Sequence, residues 1–272
     1  MSVVTEASGF ISRLERFDVV GSTNDVVRAW LAGGTPEVCV AVSDLQTAGR
    51  GRAGRSWSAG AGQALLVSAG FRPSWLRPDE VWRLAAVVSL AMADAAEVGA
   101  GLPAMTIRLK WPNDLVVADL GGLRKLGGVL GETDGLGGPE PTAVVGIGVN
   151  ADWPGSDFPT DLAASMTSLR EAAGGRPIDR DALLDGFLGR LEARTEALRR
   201  GRFDVAAWVG RQATTGREIL LSDPEGGIEH VRAVGVDAST GALVVADAAA
   251  PAGERAVLSA EVVSVRIAAA GL

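Results

Sequence analysis

The chain has 272 residues, 47% of them hydrophobic, and a formal net charge of −7. That length and apolar content describe a folded protein with one large domain, or one plus a small one, and exclude a disordered chain. The acidic balance disfavours general nucleic-acid binding, which needs a broad basic surface.

After a short lead-in, Gly21-Ser-Thr-Asn-Asp25 opens an amphipathic helix through Val26, Val27, Trp30 and Leu31, ending at Gly33-Gly34. Ser22-x-x-Asp25 fits a capping box and Gly33 a C-terminal stop. Val38 to Ser43 reads as a buried strand running into a glycine-rich loop, and Ala64 to Phe71 as a second strand. A helix follows from about Pro78 to Val98. Met105 to Lys110 alternates as a half-buried strand should, Trp111-Pro-Asn-Asp114 breaks it, and Leu115-Val-Val resumes it. Gly121, Gly122 and Lys125 are expected in a loop before the strand Leu126 to Glu132. Thr133 to Pro141 then turns into the strand Thr142 to Val149. Strands joined this closely leave no room for helical crossovers between each pair, so the sheet is expected to be mixed and mostly antiparallel. Helices are expected over Leu162 to Ala173, Arg180 to about Arg200, and Phe203 to Val209. From Arg217 to Ile267, short β segments with turns at Asp223–Gly227 and Ser239–Gly241 suggest a small appended barrel.

One stretch stands out, Gln46-Thr-Ala-Gly-Arg-Gly-Arg-Ala-Gly-Arg-Ser-Trp57. From Leu45 to Pro78 there is no Asp or Glu, yet Arg50, Arg52, Arg55, Arg72 and Arg77 all fall there. Glycine lets backbone approach a ligand closely, and arginine offers a charged fork for phosphate or carboxylate. Clustered arginines without a nearby carboxylate repel one another unless an anion joins them, so the loop reads as an anion site; an ordinary solvated loop is the plain alternative. Gly49-x-Gly51-x-x-Gly54 matches the dinucleotide fingerprint formally, but no helix follows it and the βα alternation is missing.

Of 26 basic residues only Lys110 and Lys125 are lysine, and both lie in motif-like segments where a compact point charge is useful. Lys110 and Asp114 flank a turn, where a salt bridge is the plain alternative. Ser22, Thr23 and Asn24 by themselves read as a helix cap. Trp57 reads as core or as a platform for a base, and Asn150, after Gly146 and Gly148, as a turn residue or a ligand contact. His230 is the only histidine and lies far from the glycine loop, so histidine-based triads and zinc sites are poorly supported. Cys39 stands alone, which fits a reducing cytoplasm. The run Leu84 to Ala93 is too short to span a bilayer, and no signal peptide is read at the N-terminus.

Taken in order, Gly21-Ser-Thr-Asn24, Gln46 to Trp57, Lys110-Trp-Pro-Asn-Asp114, Lys125-Leu-Gly-Gly-Val-Leu-Gly-Glu132 and Gly146-Ile-Gly-Val-Asn150 resemble a biotin protein ligase over roughly residues 20 to 150. The resemblance implies an α+β catalytic domain like that of class II synthetases, placed at 1–212, and an SH3-like barrel at 213–272. It implies ATP-dependent biotinylation of a lysine on a biotin carboxyl carrier domain through biotinyl-5′-AMP. Ser22, Thr23, Asn24, Gln46, Arg50, Gly51, Arg52 and Lys125 would then hold biotin. Arg52, Arg55, Trp57, Asn113 and Asn150 would meet the nucleotide. Lys125, Arg52, Asp114 and Lys110 would serve the chemistry, with Asp114 a candidate to contact the Mg²⁺ carried by ATP or to help deprotonate the acceptor lysine. No permanently bound cofactor is expected. About twenty residues precede the Ser-Thr-Asn motif, so a DNA-binding domain is not expected in this chain. A lipoyl or octanoyl ligase shares the scaffold but should lack the Gly-Arg-Gly-Arg loop. A nucleic-acid module using the loop and the barrel is the reading of another class, and salt-dependent filter binding would reveal it.

Overall fold

The computed structural model describes residues 3–4, 9–119, 122–223 and 225–265. Eight strands form one mixed sheet: β1 (Val3–Val4), β2 (Arg13–Val20), β3 (Cys39–Gln46), β4 (Ala64–Phe71), β5 (Ile107–Lys110), β6 (Asp114–Asp119), β7 (Gly122–Asp134) and β8 (Thr142–Asn150), in the order β1-β2-β3-β4-β8-β7-β6-β5. β2 and β3 pair in parallel, and the helix between them, α1 (Thr23–Ala32), makes the crossover that parallel pairing requires. Every other neighbouring pair is antiparallel. β2 lies in the lead-in, where no strand is expected from the sequence. Its pattern is half-buried and charge-rich because it lies toward the sheet's margin.

All eight residues of β4 are buried because both faces of the sheet are covered there. Leu65, Val67, Ala69 and Phe71 join the main core with α2 (Trp82–Gly99) and α4 (Arg180–Arg199), whose Leu183, Leu184, Phe187 and Leu191 recur at helical spacing. On the other face α1 lays Val27 and Leu31 against Cys39 and Ala41. Gly70 faces the same way, where a Cβ would come within 2.5 Å of Val27 Cγ1. The face under α1 therefore carries small and polar side chains, and the site forms on it. Among the described residues no helix is long and apolar enough to cross a membrane.

Four local expectations change. The helix at Pro78 begins with a 3₁₀ turn over Pro78–Glu80, and α2 proper starts at Trp82. Ser22 occupies the N-cap of α1 without a side-chain cap bond, so the capping box does not form; the helix does stop at Gly33, its C-cap, with the left-handed conformation at the next residue, Gly34 (φ 87°). Lys125 is a strand residue: β7 starts at Gly122, and a bulge at Leu115/Val116 sets Lys125 opposite Val116. Gly121 lies outside the described residues. Of Leu162 to Ala173 only α3 (Leu169–Ala172) is helical, because Ser168 caps it by accepting from Glu171 N. The preceding segment pairs with Lys125 instead, through Lys125 N to Ser165 O at 2.7 Å and Thr167 N to Lys125 O at 2.9 Å. A short α5 (Val205–Gly210) follows α4.

The C-terminal strands β9 (Glu218–Ser222), β10 (Ile228–Val236), β11 (Leu243–Ala246), β12 (Glu254–Val257) and β13 (Glu261–Val265) form a second, antiparallel sheet in the order β12-β11-β10-β9-β13, consistent with an SH3-like domain. β10 serves two partners by bending at a register shift between Ala233 and Gly235. Asp223 accepts from Glu225 N and Gly227 N, and Asp237 from Ser239 N, closing the two turns expected from the sequence. Pro224 and residues from 266 onward lie outside the described residues.

Candidate functional site

The N-terminus of α1, the glycine loop, the turn before β6, the middle of β7 and the glycines of β8 converge on one small cavity of about 120 Å³. Ser22, Thr23 and Asn24 are buried to 4, 3 and 4% exposure. Thr23 donates to Gln46 Oε1 through its backbone N (2.8 Å) and its hydroxyl (3.0 Å). Ser68 Oγ lies 2.7 Å from Thr23 Oγ1 and 2.6 Å from Asn24 Oδ1, and Asn24 Nδ2 donates to Glu132 Oε2 at 2.6 Å. Thr23, Asn24, Gln46 and Ser68 are thus held in orientation by one another and by Glu132. The two β8 glycines make the space: a Cβ on Gly146 would stand 2.1 Å from Asn24 Oδ1, and one on Gly148 2.7 Å from Trp57 Cε2. Trp57 lies over the strand with its Nε1 buried and without a partner among the described residues.

The glycine loop folds on itself. Gly51 N donates to Arg55 O at 2.6 Å and Trp57 N to Gly49 O at 2.9 Å, while Ala53 (φ 52°) and Gly54 (φ 72°) turn the chain. Two of its three arginines do have carboxylate partners, supplied from elsewhere in the chain. Arg50 forks onto both oxygens of Asp25 at 2.7 Å and reaches Glu132 at 3.4 Å, and Arg55 pairs with Glu261 of the C-terminal sheet. Mutual repulsion is therefore offset in space for two of the three. Arg50 holds the Asp25 carboxyl below its ordinary range. Arg52 forms no ion pair among the described residues, and burial lowers its pKa. It is the loop's available cation.

Opposite Arg52, Lys125 Nζ lies 2.6 Å from Asp114 Oδ1, and Lys110 Nζ lies 3.6 Å from Oδ2 of the same carboxylate. Lys125 also stands 5.7 Å from the Trp57 ring centroid. Burial is the main cause that lowers the Lys110 pKa; the Asp114 carboxylate opposes it and Lys125 adds to it. Because both Asp114 oxygens hold lysines, and no group of three or more metal-ligating side chains occurs among the described residues, these residues do not fit a resident divalent cation. A larger cavity of about 440 Å³ adjoins the first across Arg52, Asn113, Val129 and Leu130, and is also lined by Lys110, Asp114 and Gln212.

Residues 17–150 match the model of the biotin/lipoate A/B protein ligase family. The chain is 32% identical over 217 residues to a biotin–[acetyl-CoA-carboxylase] ligase of Mycobacterium tuberculosis, covering 78% of this chain and 76% of that one. This chain belongs to the biotin protein ligase family. It is also 30% identical over 177 residues to a bifunctional ligase/repressor of Bacillus spizizenii, covering 65% of this chain but spanning only about half (52%) of that relative. The fold of the biotin protein ligase of Aquifex aeolicus, solved in complex with biotin and ATP, superposes with a TM-score of 0.73 at 25% identity, over 90% of this chain and 95% of that one.

In this family member, Ser22, Thr23, Asn24, Gln46, Arg50, Gly51, Arg52, Arg55, Trp57, Asn113 and Lys125 all line the small cavity. Lys110 and Asp114 stand on the wall of the larger one, beside it. Asn113 also clasps β7: its Nδ2 donates to Val129 O at 2.9 Å, and its own carbonyl accepts from Val129 N at 2.9 Å. Asn150 lines neither cavity; it is buried at the end of β8 with Nδ2 donating to Thr167 O at 2.9 Å. Ser68 and Glu261 were not named from the sequence, and Asp25 was named only as a capping-box residue. Glu132 closes a quoted motif and shares a β7 face with Gly128 and Leu130, so strand alternation gave a signal for it. Nothing local points to Glu261, which is 206 residues from Arg55.

Proposed function

We propose that the chain is an ATP-dependent biotin–[biotin carboxyl-carrier protein] ligase. The observation that supports it most is the juxtaposition of a neutral, pre-oriented hydrogen-bonding pocket with Arg52, Lys125 and Lys110. Biotin's ureido group is uncharged and offers two N–H donors and one carbonyl, matching Ser22, Thr23, Asn24 and Gln46. Its carboxylate end would then point to Lys125 and Arg52.

In the first step a biotin carboxylate oxygen bonds to the α-phosphorus of ATP, the bond to the bridging oxygen breaks, and pyrophosphate leaves. Mg²⁺ enters with ATP as part of the substrate. In the second step the neutral ε-amine of an acceptor lysine on a carrier domain attacks the adenylate carbonyl carbon; AMP leaves with its electron pair and the amine sheds a proton. No enzyme nucleophile is used, so catalysis falls to positioning and charge stabilisation. Lys125 would bridge the biotin carboxylate and the α-phosphate, and Arg52 and Arg55 would meet phosphate. Trp57, whose N–H has no protein partner among the described residues, would flank the nucleotide base, together with Asn113; Asn150, buried outside both cavities, would only brace the end of β8. Asp114 serves better as a tether for the two lysines than as a base, since both of its oxygens are already ion-paired.

A cavity of about 120 Å³ is smaller than the roughly 300 Å³ at which small-molecule pockets begin. The adenylate would therefore extend from it into the adjoining cavity of about 440 Å³, passing beneath the glycine loop. The loop's tethers are exposed ion pairs, worth about 0.2–1 kcal/mol each, so ligand contacts can replace them. ATP–pyrophosphate exchange run with biotin and, separately, with lipoate tests this reading. Exchange with biotin and none with lipoate is expected; exchange with lipoate alone would move the chain to lipoyl ligation.

A further inference from the structure

Trp111 belongs by sequence to the β5–β6 turn of the large sheet, yet its side chain is buried in the core of the small one. It clusters there with Ile219, Leu221, Val231, Leu243 and Val257. It is 5% exposed, and its Nε1 donates to Gly241 O at 3.0 Å. The same turn carries Lys110 on one side of Trp111 and Asp114 on the other, and Asp114 holds Lys125. We propose that the C-terminal β-domain acts as a positioning element for the reaction, gripping Trp111 so that Lys110 and Asp114 stay aligned with Lys125. This deepens the ligase reading and rests on it.

Three observations support the assignment. First, β5 is the four-residue outermost strand of its sheet, and short edge strands fray unless held from outside. Second, its free edge is held by the segment leading into the small domain: Leu109 N donates to Arg211 O at 2.8 Å and Ala213 N to Leu109 O at 2.7 Å. Arg211 is itself locked by Glu97 at 2.8 Å and Asp94 at 2.6 Å. The hairpin is thus clamped at its edge by one element and at its tip by Trp111. Third, the two domains already touch without Trp111. Gly241 sits so close to α2 that a Cβ there would come within 2.8 Å of Trp82 Cδ2. Trp111 is therefore not the sole contact between the two sheets, and its insertion also fixes the turn that bears the charged groups. A displacement of about 1 Å in such groups costs a reaction on the order of 10²-fold.

The test uses the full chain, with biotin in ATP–pyrophosphate exchange, comparing wild type, Trp111→Ala, Trp111→Phe and Leu243→Ala. The Ser22–Asn24 and Gln46 pocket is built from other elements, so Trp111→Ala should lower kcat about 10²-fold with the KM for biotin nearly unchanged. Trp111→Phe refills the core and should recover most of that loss. Leu243→Ala loosens the grip from the barrel side, far from the reacting groups in sequence, and should give the same split in milder form. A folded Trp111→Ala with wild-type kcat, or one whose KM rises as much as kcat falls, overturns the proposal. If Trp111→Ala does not fold, Leu243→Ala decides: a kcat loss at constant KM supports the proposal and an unchanged kcat overturns it. Wild type without biotin-dependent exchange would overturn the ligase reading as well, whereas an active wild type beside an unaffected Trp111→Ala overturns this inference alone.

Discussion

Lys125 Nζ and Asp114 Oδ1 lie 2.6 Å apart, and the second oxygen of that carboxylate faces Lys110 Nζ at 3.6 Å. One acid therefore fixes both lysines of the chain. Lys125→Ala is expected to slow adenylate formation about 10²–10³-fold, the usual cost of losing one preorganised charge-stabilising group. The fold should survive, since the Lys125 side chain is 40% exposed. Asp114→Asn removes the carboxylate that raises the Lys110 pKa against burial. Lys110 should then lose its proton at lower pH, and the alkaline limb of the pH–rate profile should move down; a limb that stays in place would exclude Lys110 from the reaction.

Arg52 differs from its loop neighbours in lacking an ion-pair partner among the described residues. Arg52→Ala should lose binding of biotinyl-AMP by about 1.5–3 kcal/mol, the range for a hydrogen bond to a charged group, while leaving thermal stability nearly unchanged. Calorimetry with the isolated adenylate, alongside a melting curve, separates the two effects. Equal affinity in the variant would show that Arg52 does not meet the phosphate.

Gly148 lies beneath Trp57, and a Cβ would stand 2.7 Å from Trp57 Cε2. Gly148→Ala is expected to push the indole off the strand and to raise the KM for ATP more than that for biotin, because Trp57 is assigned to the base. Gly146→Ala should show the opposite selectivity, since its Cβ would strike Asn24 Oδ1. Steady-state kinetics in both substrates reads the pair, and matching effects from the two variants would count against the division of the pocket.

Arg50 keeps the Asp25 carboxyl below its ordinary value of 3.8. The folded-state pKa is depressed, so this contact's contribution is present above the unfolded value and lost as pH falls through the folded one. Acidification through and below that range should release Arg50 and open the glycine loop. Hydrogen exchange at residues 49–57, compared with Asp25→Asn at neutral pH, should show the same loss of protection in both. Protection that persists in Asp25→Asn would mean that Glu132 alone holds Arg50.

The sequence by itself determined the elements whose signal is local. β4 follows from a continuous apolar run, β5 from alternation, α4 from periodic leucines, and the barrel turns from Asp and Gly placements. The five ordered motifs were enough to point to the family, because glycines and paired lysines mark where backbone must approach a ligand and where a point charge is kept. Tertiary structure alone decided which carboxylates answer the arginines. Asp25, Glu132 and Glu261 come from three different elements, and Coulomb attraction depends on distance in space and not on distance along the chain. It also decided that Lys125 sits in a strand, through a bulge that shifts register, and that Ser22 does not cap its helix with its side chain. Trp111 shows the same limit from the apolar side: hydrophobicity says that an indole will be buried, and only the packing of two sheets says in which core.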